Sequence, residues 1–467
     1  MQCFKVHKDE IEKRIDPHYY QPTFLHFEQL LNLSKYPKCK IKALAIKVTS
    51  GATPKSGGDA YTTKEFGIPF IRSGDINELN IVNYDDVIYI KPDIHNKTLR
   101  GSQLQKDDVL IAIVGATIGQ VSVFKDEISA NINQALALVR LNTELIIPEF
   151  LKLYMLSNLG QQELNKNKRP VARANLNLDE IRNINVVLPP LEIQNKIVEL
   201  MQTAYDNKKQ KEQEAENFLN SIDDFVLEQL GIQLPEMQNK MCYKVASNEL
   251  KNNRHDAYYN QEKFKKLKEF LQKDNFVPFN DLIEIITKGE TPLWRGDSYT
   301  EEGIPFLKVQ NISPEGLKED ITYIPEEVHN RMKRSQLKGN ELLYSMAGTI
   351  GIATIYPNSM GEANINQAIA KIIPKNANDT EYLALILNAK ICKMQAEMFL
   401  TMAAQPNINF EQIKTIKIPY PEKEIRDNIL NEVKNRMQQA KQLQHEATAE
   451  LEEAKARVER IILGEET

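Results

Sequence analysis

Two stretches of the chain repeat apolar residues at helical spacing with no Pro or Gly to interrupt them. Between Leu191 and Leu230, Ile193, Ile197, Leu200 and Ala204 step by 4, 3 and 4 residues, and Ala215, Phe218, Ile222 and Phe225 by 3, 4 and 3. The two runs are offset by eleven residues, a local slip of the heptad, with Lys208, Lys209 and Lys211 in the gap. From Glu422 to Leu463 the pattern returns, clearest at Ala447, Leu451, Ala454, Val458 and Ile461. At about 1.5 Å per residue each stretch predicts a helix about 60 Å long, well beyond an average globular helix. A narrow apolar stripe on so charged a helix requires a partner helix.

Elsewhere the pattern is short and mixed. Apolar runs such as VLIAIVGA from 109 and ALALVRL from 135 predict strands, punctuated by Gly, Pro and Asn turns. An opening helix precedes them, and a helix at 147 to 165 precedes a last strand, NVVL, at 185.

The whole pattern occurs twice. CFKV at 3 returns as CYKV at 242, RIDPHYYQPTF at 14 as RHDAYYNQEKF at 254, and GATP at 51 as GETP at 289. GIPFIRSGDI at 67 returns as GIPFLKVQNI at 303, GATIGQVSVF at 115 as AGTIGIATIY at 347, and ANINQA at 130 as ANINQA at 363. NLNLDEIRNINVVLPP at 175 returns as NINFEQIKTIKIPYP at 407. The offset drifts slowly, as small loop insertions and deletions would make it. The chain is therefore a tandem duplication of an α+β domain followed by a long helix. The expected boundaries are 1–190 and 240–421 for the domains, and 191–239 and 422–467 for the helical segments. An antiparallel helix pair would return the chain and give a pseudo-twofold dumbbell.

Charge follows the same division. The net of -5 resolves into +3 for 1–190, -6 for 191–239, +1 for 240–421 and -3 for 422–467, so the acidity sits in the helices. Cys3, Cys39, Cys242 and Cys392 form no CxxC pair and have no His at metal spacing, so reduced, mostly buried thiols are expected, with neither a disulfide framework nor a metal site. No uncharged apolar run approaches the roughly 18 residues that a membrane span needs, and a cytoplasmic protein is expected. The glycines of GATIG and GTIG read as tight turns rather than a phosphate cradle, since no GK[ST] follows. Asn131, Asn133, Asn364 and Asn366 are expected to cap turns through their side chains.

These motifs, in this order, twice, each set followed by a long charged helix, resemble the specificity subunit of Type I restriction-modification systems. The second copy departs from the pattern in having PYP where the first has LPP. The resemblance covers nearly the whole chain. It implies two target recognition domains, each reading half of a split site in double-stranded DNA, and the twofold-like duplication itself predicts half-sites on one DNA face about one helical turn (~10 bp) or slightly more apart. It also implies two methyltransferase subunits docking beside the helices, together with restriction and translocase subunits. No catalytic residue is expected in this chain: LPPL at 188 lacks the amide and aromatic ring of an adenine methyltransferase loop, and no paired acids suit a metal nuclease. S-adenosylmethionine is expected in the partner methyltransferase, with no cofactor here. A tandem protein-binding scaffold without a DNA role is the alternative.

Residues alike in both copies cannot tell two half-sites apart, so Arg72 and Lys308 are expected to clamp phosphate or serve structure. Base contacts are expected where the copies differ. In the first these are Lys55, Ser56, the run from His95 through Lys97 to Arg100, and the loop with Lys166, Lys168, Arg169 and Arg173. In the second they are Trp294, Arg295, Gln310, Asn311, Arg331, Lys333 and Arg334. Arg pairs with guanine, and Asn or Gln with adenine, through two hydrogen bonds. For the helix pair and its partners the expected interface is Ile193, Ile197, Leu200, Phe218, Ile222, Phe225, Leu451, Val458 and Ile461.

Overall fold

The computed structural model describes residues 11, 16–55, 59–77, 80–168, 175–235, 242–245, 256–273, 275–292, 299–400 and 406–466. They form two compact units, residues 1–212 with 444–467 and residues 213–443.

Each unit contains two four-stranded sheets, one of which has the same strand order in both. In the first unit one sheet has the order Ala45–Ser50, Leu136–Leu141, Val109–Ala112, Val121–Val123, antiparallel throughout. In the second unit the matching order is Ile283–Lys288, Ile369–Pro374, Leu342–Ser345, Ala353–Ile355. Both first strands carry a bulge at the same place, between Ala45 and Lys47 and between Ile283 and Ile285. The other sheet is mixed. Ile68–Ile71 pairs parallel with Asn131–Ile132, and Ile304–Leu307 parallel with Ala363–Ile365. Leu110, Ala112, Leu136 and Leu138 pack toward this sheet, while Val109, Ile111, Ala137 and Val139 face the helices. That alternation is what a central strand buried on both faces dictates.

The glycines of the GTIG turns adopt left-handed backbone, with φ of +81° and +100° at Gly115 and Gly119 and +76° and +88° at Gly348 and Gly351, so they are turns, as read from the sequence. The thiol expectation holds only in part. Cys392 is buried, Cys39 is half-buried and Cys242 is exposed, because the CYKV segment forms no core strand.

The two long helices are Leu191–Gln229 and Lys423–Leu463. Each gives one half to each unit. In the first unit Ile197, Met201 and Ala204 are buried with Leu451, Ala454, Val458 and Ile461, and Ile193 and Leu200 pack half-buried against them. Lys211, in the slip of the heptad, reaches Glu446 at 3.1 Å and Glu450 at 2.5 Å. In the second unit Ile222 and Phe225 pack half-buried against a core containing Val226, Ile429 and Val433, and the Arg436 guanidinium lies 4.4 Å from the Phe225 ring. Phe218 is half-buried beside Glu214, Asn435 and Leu443. Within each unit the two helix segments run antiparallel: residues 201–211 meet 446–459, and 214–226 meet 430–443. No described helix is long and apolar enough to cross a membrane.

Candidate nucleic-acid interface

The motifs that recur along the chain are the ones that touch in space. Phe70 of GIPF lies opposite Asn131 of ANINQA, and Phe306 lies opposite Asn364. Gly51 of GATP lies so close to the same strand that a Cβ there would sit 1.7 Å from the Ile132 carbonyl oxygen. At Gly289 the distance to the Ile365 oxygen would be 1.8 Å. Only glycine permits that approach.

Asn133 and Asn366 shape the next turn, their side-chain oxygens accepting from the Ala135 and Ala368 N–H at 3.1 Å. Asn131 and Asn364 do something the sequence reading did not foresee. Both are fully buried. The Asn131 amide donates to the Leu99 carbonyl at 2.8 Å and the Ser102 hydroxyl at 3.3 Å, leaving its oxygen to accept from His95 Nδ1. The Asn364 amide donates to Met332 O at 3.1 Å and Ser335 Oγ at 2.7 Å, and its oxygen accepts from His329 Nδ1 at 2.5 Å. Gln103 and Gln336 close each ring of contacts by donating to the His95 and His329 carbonyls at 3.1 and 2.9 Å. A buried polar cluster whose members are hydrogen-bonded to one another fixes one geometry. Here it pins both ends of the turn that carries Lys97 and Arg100 in one unit and Arg331, Lys333 and Arg334 in the other.

The expected contact residues divide accordingly. Lys55, Lys97, Arg100, Gln310, Arg331, Lys333 and Arg334 are exposed. Arg100–Ser102 packs on the strand Ala45–Ser50, and Lys333–Ser335 on Ile283–Lys288, where the Thr287 hydroxyl donates to the Arg334 carbonyl at 3.3 Å. These turns therefore stand beside the GxTP loops. His95 is corrected: it is buried and committed to Asn131, as His329 is to Asn364, and is not displayed at the surface as a base reader would be. Asn311 is corrected likewise. It is buried, its oxygen accepting from Lys308 N at 2.8 Å and its amide donating to the Asp320 carbonyl.

Lys166 is also structural, its ammonium buried against Glu28 and 4.2 Å from the Tyr19 ring centre. Lys168 donates to Asn165 at 2.6 Å, and burial pulls its ammonium below the ordinary lysine range. Arg72 is held by Asp75 through Nη2 at 2.7 Å and Nε at 3.1 Å and donates to the Asp86 carbonyl at 2.9 Å. The hydrogen bonding to Asp75, against the opposing cost of burial, holds its guanidinium more firmly charged. Lys308, its counterpart, donates to Thr322 at 2.8 Å and lies 4.3 Å from the Tyr299 ring. Both are thus engaged within their own units. Ser56, Arg169, Arg173, Trp294 and Arg295 lie outside the described residues.

One exposed pair was missed. The Thr53 hydroxyl donates to Gln134 Oε1, and the Thr291 hydroxyl to Gln367 Oε1. The signal was present, since Thr of GxTP and Gln of NINQA recur together.

Comparison with known proteins gives this arrangement a family. The family described as Type I restriction modification DNA specificity domain matches residues 34–217 and again 272–453. The specificity subunit of the Type I restriction enzyme EcoBI of Escherichia coli is 32% identical over 157 residues, 33% of this chain and 32% of that protein. The match thus spans about a third of that relative's length. The MjaVIII specificity subunit of Methanocaldococcus jannaschii is 20% identical over 77% of this chain and 79% of its own. A solved structure described as the structural basis of complex assembly and conformational transition of the type I R-M system superposes with a TM-score of 0.56. Its identity is 14%, and the superposition covers 92% of this chain and 96% of that one, a likeness of fold. With two matches that together span most of its length, each coinciding with one set of paired sheets, this chain belongs to the Type I restriction modification DNA specificity domain family.

Proposed function

We propose that the chain is the DNA-reading subunit of a Type I restriction-modification complex, each unit reading one half of a bipartite duplex target. The observation that carries this reading is the repeated exposed platform: in both units a GxTP loop, an NQ turn and a cation-bearing turn stand together on one rigid frame. Phosphate contacts by Lys55, Lys97 and Arg100, and by Arg331, Lys333 and Arg334, would set the protein on the duplex, and base edges would then supply sequence. In this reading the chain carries no catalytic chemistry and no cofactor. S-adenosylmethionine belongs to partner methyltransferase subunits docked beside the long helices, with restriction and translocase subunits completing the complex in the cytoplasm.

The test is duplex binding by the full chain with its partners at increasing salt, followed by mapping of methylated bases. Log affinity should fall linearly with log salt, with a slope of about -0.9 per phosphate contacted. Methylation should mark a two-part sequence. Retention that ignores salt, with no methylated motif, would favour the protein-scaffold alternative.

A further inference from the structure

Positions that are identical in the two copies cannot distinguish two half-sites, but they can read whatever the half-sites share. Gln134 and Gln367 are exposed, and they occupy the same seat. Behind each is a turn fixed by Asn133 or Asn366 and a strand pinned by buried Asn131 or Asn364. Beside each is a glycine whose close approach locks the GxTP loop to that strand. In front, the hydroxyl of Thr53 or Thr291 holds the amide oxygen.

An exposed glutamine ordinarily samples several rotamers, and ordering it costs free energy on binding. These two are oriented in advance. An amide oxygen has two lone pairs, so accepting the threonine hydroxyl leaves one lone pair and both N–H donors for a ligand. An acceptor and a donor side by side match the N6–H and N7 edge of adenine in the major groove. Phosphate would be better served by the neighbouring cations, which differ in place between the copies.

We propose that Gln134 and Gln367 each read one adenine, at the corresponding position of the two half-sites, with Thr53 and Thr291 as positioning residues. The proposal rests on the functional reading above. It adds that each unit, reading on its own, takes the same base at one corresponding position of its half.

The full chain with its partner subunits is used to enrich a randomised duplex library, and the bound fraction is sequenced. For the parent, a bipartite motif with adenine at one corresponding position in each half is expected. Gln134→Ala should lose the preference at that position in one half alone, and Gln367→Ala in the other, each by on the order of tenfold or more. Thr53→Val and Thr291→Val should weaken the same preferences less. Unchanged melting confirms that the fold is intact, as expected for exposed side chains. A uniform loss across all bases with a shallower salt slope would assign the glutamines to phosphate and overturn the proposal. So would a parent motif kept intact in both glutamine variants, or a lost preference for a base other than adenine. A parent that enriches no sequence overturns the functional reading and the proposal with it.

Discussion

The duplication supplies an internal control for a buried charge. Glu163 and Gln395 occupy matching places, each inside a helix beneath the last strand of its unit, and each is 2% exposed. Gln395 is fully engaged. Its oxygen accepts from Lys417 N–H at 2.7 Å, and its amide donates to the Lys417 carbonyl at 2.9 Å and the Ile391 carbonyl at 3.2 Å. Glu163 accepts from Asn185 N–H at 3.3 Å through one oxygen, while its other oxygen is buried with no partner among the described residues. Burial pushes its carboxyl above the ordinary range, outweighing Asn185 and Lys166, which pull it down.

A carboxyl whose folded pKa is raised favours the fold while protonated. That contribution is complete below the unfolded value and is lost as pH rises through the folded one. Glu163→Gln should therefore change little at acid pH and stabilise the first unit above the ordinary carboxylate range. The removal of one unpaired buried oxygen sets the scale at about 1–3 kcal/mol, or about 2–10 °C for a unit of this size. The reverse substitution, Gln395→Glu, sets a carboxylate against two carbonyl oxygens and should cost about 3 kcal/mol or more, with partial recovery as pH falls. Calorimetric scans of parent and both variants from about pH 4, below the ordinary glutamate value, to about pH 8, read as changes in each transition, test the pair. A Glu163→Gln protein that melts below the parent at the higher pH would refute the reasoning, as would a gain independent of pH.

Two further outcomes are expected. Val458 is 3% exposed among the helix residues of the first unit, so Val458→Asp should lower that unit's stability by roughly 3–5 kcal/mol. Half-buried Ile222→Asp should cost the second unit less, and both should loosen co-purification with partner subunits. Unchanged melting and co-purification would show that the helices are not the assembly point. Exchanging 240–421 for the equivalent domain of another family member should change one half of the methylated sequence and leave the other, and a shift in both halves would show that the units do not read independently.

The elements legible in the sequence were those with local signals. The long helices followed from apolar spacing, the turns from glycine, and the duplication from repeated words. The buried clusters were not legible because they join residues far apart: Asn131 meets His95 across 36 positions and Ser102 across 29. One detail concealed the match between His95 and His329. Seven positions separate His95 from Ser102, and six separate His329 from Ser335. The extra residue is absorbed in a π turn at Ile94–Thr98, where the second unit has an α-helix at Glu326–Arg331. A simple offset therefore set His95 among the differing residues. Lys166 misled for another reason, since composition alone cannot show that a lysine in a basic stretch is turned inward toward Glu28.

The sharing of each long helix between the units has a consequence for the order of events at the ribosome. The first unit is finished by residues 444–467, which are made after every residue of the second. Between Glu212 and Gln444 lie 232 steps of chain elongation, roughly 10–50 s of synthesis at ordinary rates. Throughout that interval the apolar face of Ile197, Met201 and Ala204 has been made, but Leu451, Ala454, Val458 and Ile461, which cover it, have not. Of the two units, the one translated first is thus the last to be completed, and a message truncated between codons 213 and 443 yields a nascent chain whose first unit keeps that seam uncovered.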